Sequence, residues 1–385
     1  MKRNIWILCL VLIWIVAACG QKKVEPEVQI EVIDGVRHVM NPEMPLKGTV
    51  LLELEKKLEI DPYEHEEVGF SYFDAVKDTD GEIILFNAND AEAERFTKDG
   101  DYIGSLFRKG QGPGEFSSMS LVFVRFMDGQ IWVTGGQKLA KFDKQGQLIE
   151  DFKLGDSIAS FIDQNKYVTD TRTRIGEDLH KQIMIKKISK TNEVEEGPVL
   201  MEGTNLGMIR IPPRGGLMES WGTPDIEYAV DRNAKKIYAA LKEEYKIQAK
   251  DVEGNTLYVI EAPYPRVSLS GREKEIMLDI ILRDESKDKQ KYLDAYPDKL
   301  MAFKEMKVLP KGYLAVYRIS GPKEYQVDIF DDQGRYVYQV ETPENITLDR
   351  AIFYDFGFTT VQTEGDFPVY VEYRIKNLPE IFGTR

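Results

Sequence analysis

Cysteine is almost missing from this sequence: of 385 residues only Cys9 and Cys19 carry a thiol, and both fall in the first nineteen positions. Everything after them is built without disulfides or thiol nucleophiles. Stability must come from burial, for which roughly 360 residues provide ample core. Histidine is scarce as well. His38, His65 and His180 are scattered, with no His-x-x-x-His or His-Glu-x-x-His spacing, so no histidine-built zinc site is legible. Cations are in deficit, 51 Lys and Arg against 65 Asp and Glu, for a net charge of −14. Such a surface repels nucleic acid and acidic lipid headgroups, which removes nucleic acid from the partners considered. No Gly-x-Ser-x-Gly elbow offers a start for Ser/His/Asp catalysis. The one strongly apolar run, Ile5 to Val16, is too short to span a bilayer comfortably.

That run is preceded by Lys2-Arg3 and followed by small residues, the layout of a secretory signal peptide. Its end, Val16-Ala17-Ala18-Cys19, resembles the bacterial lipobox. The resemblance implies that residues 1–18 are removed and that Cys19 becomes the acylated first residue of a lipoprotein, carrying palmitate-type chains on sulfur and amine. Residues 19–47 are then a lipidated N-terminus and linker. The cut deletes Lys2 and Arg3 and takes the net charge to −16, so lipid rather than a basic patch must hold the protein to its membrane. Gly20 is not the Asp that resembles an inner-membrane retention signal, and the expected location is the outer membrane.

From about Gly48 the chain reads as short β-branched and aromatic runs separated by Gly, Asp and Asn turns. Two passages align. One is Asp78-Thr-Asp-Gly-Glu-Ile-Ile-Leu-Phe followed by Ala93-Glu-Arg-Phe-Thr-Lys-Asp-Gly-Asp-Tyr-Ile. The other is Met127-Asp-Gly-Gln-Ile-Trp-Val-Thr followed by Leu139-Ala-Lys-Phe-Asp-Lys-Gln-Gly-Gln-Leu-Ile. Weaker copies fall at Asp231–Ile260 and Lys311–Val340, a stretched one at Ile158–Met201 and an incomplete one at Asp349–Ile375. A period of roughly 40–50 residues with four short strands per unit is the pattern of propeller blades. The expectation is an all-β, six-bladed β-propeller of four-stranded antiparallel blades over residues 48–377, with 378–385 as a tail. The matched Gly turns weigh against the alternative, a β-sandwich followed by a second β domain. The last copy lacks a fourth strand, and the run Thr49–Glu55 is expected to supply it and close the ring.

Arg108-Lys-Gly-Gln-Gly-Pro-Gly-Glu-Phe116 resembles the Gly-rich link between NHL repeats, and the whole layout is similar to bacterial six-bladed NHL- or TolB-like propeller lipoproteins. That resemblance implies architecture more than activity. Some NHL-type propellers are zinc-dependent lyases, and no equivalent histidine set stands here. The Gly-rich link also lacks the Gly-Lys-Ser/Thr ending of a phosphate loop, and its glycines fit tight turns between blades. One helical pattern interrupts the strands, within an insertion at about 266–300. There Ile276, Ile280, Ile281 and Leu293 recur near helical spacing, and Ser270 with Glu273 reads as a capping box.

Labelling the strands of a blade A to D from the channel outward, A–B and C–D turns lie on one face. B–C loops and D–A links lie on the other. The A–B and C–D turns are short throughout. The long excursions, 107–120, 171–181, 202–224 and 263–303, all belong to the second class. That face carries cations unusual for an acidic protein: Arg108, Arg172, Arg174, Arg210, Arg214 and Arg318, together with Trp221. Arginine forks suit carboxylates or acidic sugars, and tryptophan suits sugar faces or apolar anchors. Pairing with neighbouring acids is the plainer explanation for any one of these arginines. Asp170, Glu177 and Asp178 offer oxygen ligands for calcium, but an exposed acidic loop accounts for them, and no metal or cofactor is assigned. The expected function is a ligand- or protein-binding module of the envelope, its partner an anionic peptide, a glycan or another envelope protein. An enzyme of lyase or hydrolase type with its site at the channel mouth is the alternative, and no catalytic residue is legible.

Overall fold

A computed structural model of the chain describes residues 27–64, 74–87, 91–107, 109–117, 122–154, 158, 160–175, 178–189, 191–204, 209–211, 215–217, 223–282, 289–344, 346–348, 351–354, 357–364 and 367–377. The signal segment, Cys19 and the tail 378–385 lie outside them. Six antiparallel sheets follow one another along the chain, each running from an innermost strand A to an outer strand D. Blade one spans Asp74–Lys77 to Tyr102–Ser105, blade two Phe123–Met127 to Leu148–Lys153, and blade three Ser160–Phe161 to Val194–Thr204. Blade four runs from Ile226–Asp231 to Thr256–Glu261 and blade five from Phe303–Val308 to Tyr336–Glu341. Blade six takes three strands from the C-terminal segment, Ile352–Tyr354, Gly357–Glu364 and Phe367–Ile375. The fold is the six-bladed propeller.

Why the chain repeats this unit is visible in its C–D turns. Thr97, Asp143, Ser189, Asp251 and Asp331 each open such a turn. Each side-chain oxygen accepts the backbone N–H groups two and four residues on, at 2.8–3.3 Å. The fourth residue of every one has positive φ, at Gly100, Gly146, Asn192, Gly254 and Gly334. A Cβ is strained there, which is why the position reads Gly or Asn. In four blades the register slips by one residue just before the turn, at Arg95/Phe96, Lys141/Phe142, Ala249/Lys250 and Ile329/Phe330. A bulge of this kind adds twist where the strand turns back.

The core is divided among the blade interfaces. Six apolar clusters lie between successive blades, one for each interface of the ring. Phe86, Phe116 and Phe142 are among the residues between blades one and two, and Tyr238, Phe303 and Tyr336 among those between four and five. Blades six and one meet through Ile60, Ala75, Phe96 and Tyr370. A further cluster belongs to the insertion, which holds helices α1 (Gly271–Leu282) and α2 (Lys289–Ala295); Met277 and Leu278 of α1 and Tyr296, just after α2, cluster with Ile319 of blade five. The capping box forms: Glu273 accepts the Ser270 N–H at 2.7 Å and Ser270 Oγ accepts the Glu273 N–H at 3.3 Å. The buried stripe is displaced from the expected one, for Ile276 is 45% exposed while Met277 and Leu278 are buried.

Closure departs from expectation in its register along the chain. Strand D of blade six is Leu54–Ile60, antiparallel to Phe367–Ile375. Only the end of the run Thr49–Glu55 takes part. Its beginning, Thr49–Leu51, instead joins blade five as a fifth strand, parallel to Tyr336–Glu341. Residues 29–40, read from sequence as linker, form a hairpin of Gln29–Ile33 and Val36–Met40 whose second strand pairs parallel with Thr256–Glu261 of blade four. The N-terminal segment thus runs along the outer edges of blades four, five and six in turn and covers edges that would otherwise be open. Asn41 pins the crossing from four to five. Its Nδ2 donates to the carbonyls of Val39, Glu261 and Gly334 at 3.0–3.2 Å, and its Oδ1 accepts the Tyr336 N–H at 2.7 Å.

Candidate functional site

Strand order fixes where the connections go. In each antiparallel blade the B–C loops and D–A links leave from the same end, and every long connection is a D–A link: 61–73, 106–122, 205–225, 262–302 and 342–351. The links of blades three and four meet, since α2 packs beside the short strand Ile209–Ile211, itself paired with Gly215–Leu217. The segment 171–181 is not a loop. Strands Lys166–Ile175 and Asp178–Ile188 continue through it as a paired ribbon, joined by Val194–Thr204. At 10–11 residues these strands are about twice the length of those in blades one and two, so blade three rises above its neighbours on the loop-rich side.

The expected arginines separate into three groups. Arg172 and Arg174 lie on strand B of the ribbon and are exposed, Arg172 with its guanidinium 3.6 Å from Asp170. Arg210 lies on the strand Ile209–Ile211, its side chain outside the described residues, and Arg108, Arg214 and Trp221 lie outside them altogether. Arg318 is no free binding group. It sits within strand B of blade five, donating from Nε to Asp328 at 2.7 Å and from Nη2 to Asp328 and Gln326, with the guanidinium 3.9 Å over the Tyr264 ring. Asp328 is fully buried and also accepts the hydroxyls of Tyr245 and Tyr336, at 2.9 and 2.8 Å. Burial disfavours the charged guanidinium, but the bonds to Asp328 outweigh it and raise the Arg318 pKa. This network ties blade five to the B–C loop of blade four.

The Gly-rich link folds back on itself. Gly110 N–H donates to Phe116 O, Gly112 N–H to the Glu115 carboxylate at 2.9 Å and Gly114 N–H to Asp151 at 2.7 Å. Its outward N–H groups are filled by the protein's own carboxylates, which removes the phosphate-cradle reading. Phe107 and Phe116 anchor both ends in the core at a ring separation of 5.1 Å.

A second constellation, absent from the sequence reading, stands at the loop-rich mouth of the channel. Lys181, 4% exposed, bridges Asp170 at 3.2 Å and Asp225 at 2.6 Å. Two residues on from Asp225, Glu227 on the innermost strand of blade four is pushed up to about 7 by burial, reinforced by Glu305 and Asp225 and opposed by Lys242 and the Met306 N–H. Glu305 in turn lies 3.5 Å from Lys307. A carboxyl half-protonated near neutral pH, beside a lysine and a second carboxylate, has the properties of a general acid or base. The signal was present as charge inside the strand runs Ile226–Asp231 and Phe303–Val308. It is ambiguous in sequence, because any channel-lining strand is allowed polar residues. Asp170, considered as a calcium ligand, is engaged by Lys181; Glu177 and the Asp178 side chain lie outside the described residues. Among the described residues no group of three or more His, Cys, Asp or Glu is arranged to hold a metal ion, and no helix is long and apolar enough to cross a membrane.

A family model described as a 6-bladed beta-propeller (DUF5128) matches residues 64–202. No curated protein matches the chain. Solved structures similar to it include a candidate exported protein of Bacteroides fragilis, 11% identical with a TM-score of 0.46 over 88% of this chain and 99% of that one. A DUF4221 family member from Bacteroides vulgatus is 11% identical with a TM-score of 0.49, over 84% and 98%. Virginiamycin B lyase from Staphylococcus aureus is 9% identical with a TM-score of 0.40, over 84% and 99%.

Proposed function

We propose that the chain is an exported, lipid-anchored propeller of the cell envelope that binds a partner through its loop-rich face. The observation that carries this reading is the asymmetry of the connections. Closing the ring needs only short turns, yet every long connection and the blade-three ribbon extend from one side. Arg172 and Arg174 are exposed on that ribbon. In a protein of net charge −14 their forks fit carboxylate or sulfate groups, as on an anionic peptide, an acidic glycan or an acidic patch of another envelope protein. Anchoring rests on the lipobox resemblance at Val16–Cys19. The first strand, Gln29–Ile33, lies on the outer edge of blade four, so the point to which a tether from Cys19 attaches is at the rim.

Site-specific photo-crosslinking in cells producing the full chain tests the proposal. A crosslinker at exposed Thr173 on the ribbon is expected to give discrete adducts, and one at exposed Lys98 on the opposite face none. Adducts from both positions alike, or from neither, overturn it. The second reading, a lyase or hydrolase at the channel mouth, is favoured by one observation, the near-neutral Glu227 facing Lys242 and Glu305. It requires Glu227→Gln to abolish a turnover that Arg172→Ala and Arg174→Ala leave intact.

A further inference from the structure

Apolar side chains left in water are concentrated on one short part of the chain. Of the five most exposed large hydrophobic residues among those described, four fall within residues 30–51: Val32 at 72%, Met44, Ile30 at 57% and Leu51. All four lie on the N-terminal segment that runs along the outer edges of blades four and five. Single exposed hydrophobics are ordinary on a protein surface, but a run of them along one edge marks a contact.

Register fixes which way they point. Ile30 is the cross-strand partner of Val39, and Val32 of Arg37. Val39 is fully buried in the cluster between blades four and five, and Arg37 donates to the Gln333 carbonyl, on the blade-five C–D turn, at 3.3 Å. Ile30 and Val32 therefore carry the apolar surface of that interface outward past its last buried residue. On the neighbouring edge Val50 packs against the cluster between blades five and six, so Leu51 turns the other way, toward blade four. Met44 lies on the crossing between the two edges. The strip lines the outer mouth of one blade interface, and Gln29–Ile33 ends its sheet with no further strand beside it among the described residues.

We propose that this strip rests on the bilayer that holds the acylated Cys19, among zwitterionic headgroups, and thereby sets the orientation of the propeller. The inference rests on the lipid-anchored reading above. Ten residues carry the chain from Cys19 to Gln29, at most about 35 Å when extended and roughly half that on average, which keeps this rim close to the lipid. A tether that short gives a weak contact a high effective concentration, so a few partly inserted aliphatic side chains can orient a protein whose acyl chains already hold it. A second copy fits poorly. Antiparallel pairing of two such edges about Glu31 sets like charges opposite each other, and five paired residues bury far less than the roughly 800 Å² per partner of a stable dimer. Glu31 turns to the other face of its strand, in register with His38, but Asp34 and Glu43 flank the strip, which is why acidic headgroups are not its match. Resting on this part of its rim, the propeller turns its loop-rich face along the membrane surface.

The test uses the full chain, matured in cells and reconstituted into phosphatidylcholine vesicles whose acyl chains carry a doxyl quencher. Acylation consumes the Cys19 thiol and Cys9 is removed, so a fluorophore on Val32→Cys, Leu51→Cys, Glu31→Cys or Ile103→Cys labels a single position. Ile103 is an exposed apolar residue on the outer strand of blade one, across the ring from blade four. Flotation with the vesicles reports the anchor, and quenching by the doxyl lipid reports the rim. Labels at Val32 and Leu51 are expected to lose emission, and those at Glu31 and Ile103 to keep it. A chain that does not float overturns the anchored reading and this inference with it. A chain that floats with all four labels quenched alike, or with none quenched, overturns this inference alone. So does excimer emission from pyrene on Val32→Cys, which requires two copies edge to edge. Ile30→Ser with Val32→Ser should leave flotation unchanged and restore the Leu51→Cys emission; undiminished quenching at Leu51→Cys in that background also overturns the inference.

Discussion

Asn41→Ala should be among the most damaging single substitutions in the N-terminal segment, although Asn41 touches no blade's inner strands. Its carboxamide makes four hydrogen bonds between blades four and five, and the residue is 5% exposed. Truncation orphans the Tyr336 N–H, whose residue is fully buried, at a cost of about 1–3 kcal/mol for a buried donor without a partner. The carbonyls lose less. Glu261 O keeps the Asn41 N–H at 2.9 Å, and only Gly334 O and Val39 O forfeit a net bond, about 0.5–1.5 kcal/mol each. About 3 kcal/mol in total is expected, read as a fall in the urea midpoint at unchanged slope. Asn41→Asp should be worse, since it keeps the acceptor for Tyr336 but sets a buried carboxylate against three carbonyls. An Asn41→Ala midpoint within about 0.5 kcal/mol of wild type would refute the idea that the crossing strand is pinned there.

Asp328→Ala strands the Arg318 guanidinium and two tyrosine hydroxyls at the blade four–five interface, and equilibrium unfolding should register about 3–5 kcal/mol of lost stability. Glu227 titrates near 7 folded and near 4.5 unfolded, so between those values the folded state holds more protons and stability falls as pH rises. Urea midpoints from pH 4.5 to 8 should show a decline worth up to about 3 kcal/mol, less where channel water screens the charge, and Glu227→Gln should flatten it. Ser270→Ala should speed amide exchange in the first turn of α1 while leaving the global midpoint nearly unchanged, because the helix packs on one blade rather than within the ring.

The parts of the fold visible in sequence are those built from neighbouring residues. The Asp143-Lys-Gln-Gly-Gln type of turn, the Gly with positive φ and the Ser270/Glu273 box are each local hydrogen-bonding units, and each forms as its residues imply. The parts that escaped are long-range. Val36–Met40 finds Thr256–Glu261 more than 200 residues away, in parallel, with nothing in either run to announce the other. The closing run slid because Thr49–Leu51 and Leu54–Ile60 are both acceptable edge strands, and only the geometry of the ring assigns them to different blades. Arg318 at the end of strand B read as a binding cation because nothing in the sequence shows that Asp328, ten residues on and across the strand pair, already engages it. Arg172 and Arg174, read as B–C loop residues, lie on a strand, because polar alternation through 171–181 reads equally as loop or as exposed ribbon.

Binding of an acidic partner at the loop-rich face is the step on which the proposed function rests. Its most direct test is to titrate the mature chain with a panel of uronic and sulfated oligosaccharides and acidic peptides, comparing wild type with Arg172→Ala/Arg174→Ala and Arg210→Ala/Arg214→Ala/Trp221→Ala. At least one binder is expected whose affinity falls by about tenfold or more in one of these variants and is unchanged in Lys98→Ala. A panel without any binder, or a binder indifferent to all five substitutions, would contradict the proposal.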